Sequence, residues 1–126
     1  MLSLLKINNL ALVEDLVWEV GSGLIGVTGE TGAGKSVIVG ALKLIVGERA
    51  NQNLVRTGCK SCSIEAVFDL EQAESVNSVL DAAGLASCEN DQLVIRRVID
   101  TSSGNKQFVN CSPVTLSVLK QIGELL

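Results

Sequence analysis

Gly29-Glu30-Thr31-Gly32-Ala33-Gly34-Lys35-Ser36 is the stretch whose reading decides the fold. It matches G-x-x-x-x-G-K-[ST], the pattern of a phosphate-binding loop. The residue types follow from the chemistry. Glycines let the backbone curl so that successive N–H groups point inward at phosphate oxygens, with no Cβ in the way. Lys35 supplies a point charge of a length that reaches the β- and γ-phosphates, and Ser36 places a hydroxyl for Mg²⁺. A helix that begins here adds its positive N-terminal end. All eight residues are candidate nucleotide ligands, Ser36 is the candidate metal ligand, and ATP with Mg²⁺ is the expected cofactor pair.

The flanks arrive in the order that this loop requires. Leu24-Ile25-Gly26-Val27-Thr28 is a short apolar run and predicts a buried strand. Val37, Ile38, Ala41, Leu42, Ile45 and Val46 recur at helical spacing, and Gly47 is suited to end that helix.

At 126 residues there is room for one domain. A hydrophobic content of 47% excludes disorder and hints at surfaces that another part of a larger assembly covers. The net charge of −4 argues against the whole piece being a general polyanion binder. No apolar run reaches membrane-spanning length and no secretory leader is visible, so the expected location is cytoplasmic. Cys59-Lys60-Ser61-Cys62 is a CxxC, but Cys88 and Cys111 form no second close pair and histidine is absent. The four cysteines are expected to be ordinary reduced thiols.

Working outward, Leu2–Ile7 and Leu12–Val20 predict two strands joined by a turn at Asn8-Asn9, with Leu16, Trp18 and Val20 on one face. Gly21-Ser22-Gly23 leads into the loop strand. After the helix comes a polar stretch from Asn51 to Ser61. Residues 63–70 alternate and predict a half-buried strand, and residues 73–83 predict a helix with Val76, Val79, Leu80 and Ala83 inward, stopped by Gly84. Residues 92–100 and 106–110 predict a hairpin around Thr101-Ser102-Ser103-Gly104-Asn105. Pro113 is expected to open a last helix with Leu116, Leu119, Ile122 and Leu126 inward.

A nucleotide-hydrolysing site also needs an acidic residue behind an apolar strand to hold the metal. Phe68-Asp69 and Ile99-Asp100 are the candidates, and their short runs and strand-end positions make them turn acids instead. Tyr is absent, so no adenine-stacking platform is expected, and Trp18 is assigned to the core. No residue of this chain is assigned a catalytic role.

Several stretches together resemble the RecN family of SMC-like DNA repair ATPases. They are LLKINNLALVEDLVWEV, GLIGVTGETGAGKSVIVGALKLIVGERA, LVRTG, and QLVIRRVIDTSSGNKQFVN followed by PVTLSVLKQIGELL. The resemblance covers nearly the whole chain and is most specific in GETGAGKS, the VRTG and the RRVI strand. It implies an α/β P-loop NTPase fold, an ABC/SMC-type head lobe with an added antiparallel β layer. Residues 1–126 would be the N-terminal lobe, a fragment of a longer protein, without the glutamine loop, coiled coil, signature motif and Walker B strand. It implies as partners a C-terminal lobe of the same head, a second head in a homodimer, and DNA through the full-length protein, with a nucleoid-associated location. Arg49 matches an arginine that in SMC-like heads follows the P-loop helix and is associated with phosphate contact. Arg56 lies in the VRTG without an assigned role, and the Cys59–Cys62 pair is not a feature of the family.

Two other readings compete. A small P-loop kinase would need an arginine-rich lid and an acid to bind the acceptor, and neither is visible. An inactive truncated relic would account for the apolar excess and for a last helix that runs out at Leu126 without a cap.

Overall fold

Strict alternation builds the middle of the sheet. In a computed structural model that describes residues 1–29 and 34–126, Ser61–Asp69 forms strand β4, with Cys62, Ile64, Ala66 and Phe68 buried on one face. Before it come β1 (Leu2–Leu10), β2 (Val13–Glu19), β3 (Leu24–Gly29) and helix α1 (Gly34–Ile45). After it come α2 (Glu74–Ala82), β5 (Gln92–Asp100), β6 (Gly104–Val109), the short β7 (Ser112–Pro113) and α3 (Leu116–Gly123). The strands form one sheet in the order β3-β2-β1-β4-β5-β6-β7, and each pairing among the described residues is antiparallel. The expected antiparallel β layer is therefore continuous with the P-loop strand through β2.

Cross-strand register shows which face is the core. Leu16, Ile7, Ile64 and Arg97 lie in one row across β2, β1, β4 and β5, and Leu5, Ala66, Ile95 and Val109 in a neighbouring row. The helices cover this face with Val37, Ala41, Leu44 and Ile45 from α1, Val76 and Leu80 from α2, and Leu119 and Ile122 from α3. The opposite face carries Lys6, Glu65 and Arg96 side by side, unlike charges on adjacent strands.

The structure corrects several expectations. Asn8 and Asn9 belong to β1, which runs on to the buried Leu10 and reverses at Ala11-Leu12. Asn8 faces its cross-strand partner Asp15 and donates to its Oδ1 at 2.7 Å, so a residue that favours turns is held in a strand. A register shift between Val13 and Asp15 leaves Glu14 and Asp15 both outward while Val13 and Leu16 both point inward. β3 is a strand, but Ile25 is 48% exposed, because among the described strands it has a neighbour on one side only. Pro113 sits in β7, and α3 is opened instead by Thr115, whose Oγ1 accepts from the Val118 amide at 3.2 Å. Val46 and Leu126, expected inward, are exposed. Trp18 packs half-buried against the core as expected.

The end of α1 is closed by a Schellman arrangement. The Glu48 amide donates to Lys43 O and the Gly47 amide to Leu44 O, both at 3.1 Å, with Gly47 at φ +107°. Helix α3 lies directly on this junction. A Cβ on Gly47 would meet the Lys120 backbone at 2.9 Å, and one on Gly123 would meet Val46 O at 2.3 Å. Gly123→Ala should therefore push α3 off α1 and cost about 1–3 kcal/mol, read as a lower urea midpoint. An unchanged midpoint would show that the two helices are not in contact there.

Candidate nucleotide-binding site

The sheet delivers Gly29 to one end of the molecule, and the next described residues, Gly34, Lys35 and Ser36, begin α1. The helix start thus follows the strand end across the predicted phosphate loop. Glu30, Thr31, Gly32 and Ala33 lie outside the described residues. The first turn of α1 contains no acidic residue, so its N-terminal amides and the positive end of its macrodipole face an anion unopposed from within that turn. The Ser36 residue is exposed. Of the eight expected ligands, Gly29, Gly34, Lys35 and Ser36 are the described ones.

Register also shows what shares that end of the sheet. Gly29 pairs with Val13, Val13 with Leu10, and Leu10 forms a bridge with Val55. The segment after α1 returns to this rim, since the Arg56 amide donates to Asn9 O and the Ala11 amide to Leu54 O, both at 2.8 Å. The Asn105 side chain donates to Ala50 O at 2.9 Å and ties the β5–β6 turn to the same segment. Arg49 is exposed just beyond the far end of α1, a helix about 18 Å long, so the helix separates it from Ser36. Arg56, left without a role by the sequence, has its backbone on the same rim as Gly29, three interstrand spacings of about 5 Å away.

Acidic side chains stand at both ends of the sheet, with Glu14 and Asp15 outward on β2 beside Gly29 and Thr28. Asp69 and Asp91 lie at the opposite end of the sheet, where Asp69 Oδ1 accepts from Gln92 Nε2 at 3.3 Å. A cavity of about 360 Å³ lined by Met1, Phe68, Leu70 and Leu126 is also at that end, away from Gly29. Asp100 does lie at the Gly29 end, but its Oδ1 is committed to the hairpin turn. It accepts from the Ser102 amide at 2.8 Å, the Ser103 amide at 3.0 Å and the Ser102 hydroxyl at 2.8 Å.

The buried charged side chain that sequence reading missed is Arg97. It is 1% exposed on the core face of β5, and its Nη1 donates to Leu44 O at 2.8 Å and to Glu48 O. Burial pulls its pKa below the ordinary arginine value, opposed by the neighbouring Cys62. Cys62 is itself pushed up to about 11 by burial, against the Ile99 backbone and the Arg97 charge, and is held as a neutral core thiol. Cys59, its CxxC partner, is half-buried, Cys88 likewise, and Cys111 is exposed. The missed signal lay in the alternation of Gln92–Asp100, which puts Arg97 on the side of Leu93, Ile95 and Ile99.

Comparison with known proteins bears on this geometry. A family model described as an AAA domain matches residues 4–122. DNA repair protein RecN of Vibrio cholerae serotype O1 is 40% identical over 126 residues, covering 100% of this chain and 22% of that protein. RecN of Bacillus subtilis strain 168 is also 40% identical over 126 residues, with the same coverage of 100% and 22%. An SMC ATPase structure, described for ATP-driven dimerization and DNA-stimulated activation, superimposes with a TM-score of 0.68. At 18% identity, over 96% of this chain and 76% of that one, this likeness concerns the fold. Strand β3, α1 and the antiparallel sheet give the chain an α/β fold shared with an SMC head. The chain belongs to the AAA domain family. It spans 22% of the length of these RecN relatives. No helix among the described residues is long and apolar enough to cross a membrane.

The Asp100 turn makes a pH prediction. Three donors hold the carboxylate's pKa at about 2, below the ordinary 3.8, with the Ser102 amide the largest cause. A depressed pKa means that the turn's contribution is complete above the ordinary value and is lost as pH falls through about 2. A carboxyl-detected NMR titration of Asp100 should show a midpoint near 2, and a midpoint near the ordinary value would contradict the hydrogen bonding described.

Proposed function

We propose that this chain is the nucleotide-binding lobe of a DNA repair ATPase that acts on double-strand breaks, with ATP and Mg²⁺ bound across residues 29–36. The observation that carries the reading is that α1 starts at Gly34-Lys35-Ser36, five positions after β3 ends at Gly29, with no acid in the helix's first turn. Bound phosphate oxygens would take hydrogen bonds from the loop and helix amides. Lys35 would offset the β/γ charge, and Ser36 would ligate the metal. Arg49 would contribute positive charge beyond the far end of α1 once a complete head is assembled.

Turnover asks for more than this lobe supplies. Phosphoryl transfer needs a held metal, an oriented water and charge stabilisation that act as a unit, so losing several parts removes nearly all of the rate. In the whole protein the missing parts would come from a C-terminal lobe and from a second head facing the first across two nucleotides. Binding would then drive engagement and hydrolysis would release it. The relatives at 40% identity carry the name of a repair protein, and no observation favours the kinase reading.

Isothermal calorimetry on residues 1–126 provides the test. Wild type should bind ATP weakly, Lys35→Ala should not bind measurably, and Ser36→Ala should lose affinity chiefly when Mg²⁺ is present. The same samples should release no phosphate above background. Equal affinity of wild type and Lys35→Ala would remove the phosphate-site assignment.

A further inference from the structure

We infer that Arg97 is a positioning residue for the phosphate site. By holding the carbonyls of Leu44 and Glu48 it sets the axial position of α1, and so the place of Gly34, Lys35 and Ser36 relative to the end of β3. This rests on the reading of the first turn of α1 as the phosphate end.

Arg97 is an unusual choice for its location. Its row across the sheet consists of Ile64, Ile7 and Leu16 on one side and the half-buried Gln107 on the other, and its neighbours along β5 on that face are Ile95 and Ile99. Its Nε finds no hydrogen-bond acceptor among the described residues. A buried guanidinium with one unsatisfied donor costs free energy, and replacing buried ionic groups by apolar ones of similar volume is often neutral or stabilising. Stability alone therefore does not account for an arginine here.

Direction does. Val37, Ala41, Leu44 and Ile45 hold α1 to the sheet by apolar burial, which resists lifting the helix but is non-directional and resists sliding poorly. Hydrogen bonds from a rigid strand to carbonyls at one helix end fix the slide. Gly47 and Gly123, where α3 touches the same junction, limit movement from the other side. A continuous helix of 12 residues carries a displacement from its clamped end to its phosphate end. Misplacement by about 1 Å at a reacting phosphate is severe.

Arg97→Met and Arg97→Lys, made in residues 1–126, separate positioning from simple support. Arg97→Met should melt at or above the wild-type temperature yet bind Mg·ATP about tenfold more weakly, well below the melting range. Arg97→Lys keeps the charge and should fall between the two in affinity. A lower melting temperature with unchanged affinity, or no change in either, overturns the inference. Wild-type protein alone decides the matter if Arg97→Met does not fold. Saturating Mg·ATP should then slow hydrogen exchange at the Val46, Gly47 and Glu48 amides, and unchanged exchange overturns the coupling. Lys35→Ala keeps the two readings apart. If it abolishes binding, the phosphate site stands whatever Arg97 does, whereas if it binds as wild type does, the site assignment itself fails.

Discussion

The structure depends on how the C-terminal end of α1 is held. Three kinds of interaction converge within a few residues there. The Schellman bonds at Gly47 and Glu48 satisfy the last helix carbonyls, Arg97 reaches up from β5 to Leu44 O and Glu48 O, and α3 closes over the junction at Gly47 and Gly123. Each answers a separate physical demand: unpaired carbonyls, a fixed axial position, and close backbone approach. On the reading proposed above, the N-terminal end of the same helix takes its place from this clamped end and from the sheet beneath.

The sheet is the second half of this frame. Its antiparallel register aligns the end of β3, the Ala11-Leu12 reversal, the segment from Ala50 to Arg56 and the β5–β6 hairpin along one rim. Asp69, Asp91 and the cavity beside Met1 and Phe68 occupy the other rim. An anionic ligand at the Gly29 end thus lies away from these two acids, while Asp100 at its own rim is committed to a turn.

Much of this was legible in the sequence, and for identifiable reasons. The alternation in β4 and β5 and the helical spacing in α1 and α2 are strong signals because one face of each is fully buried. The pattern of residues 29–36 stands out in the sequence because phosphate chemistry admits few residue types, and its residues 30–33 lie outside the described structure. Asn8-Asn9 misled because a local turn preference was outweighed by pairing with Asp15 and by the burial of Leu10. Pro113 misled because proline suits a short edge strand as well as a helix start. Arg97 escaped notice because a charge in a strand is ordinarily read as outward, although its place in the alternation said otherwise. The exposure of Ile25 and Val46 depends on what stands beside β3 and α1, which no local pattern encodes.

The central claim is that nucleotide is held where β3 meets α1, on a helix fixed from its far end. Amide chemical-shift mapping with Mg·ATP tests it most directly. The account predicts the largest shifts at residues 29–36, with smaller ones reaching residues 44–48 and the Arg97 side chain. Shifts centred instead on Met1, Phe68 and Leu126, around the cavity at the opposite rim, would contradict it.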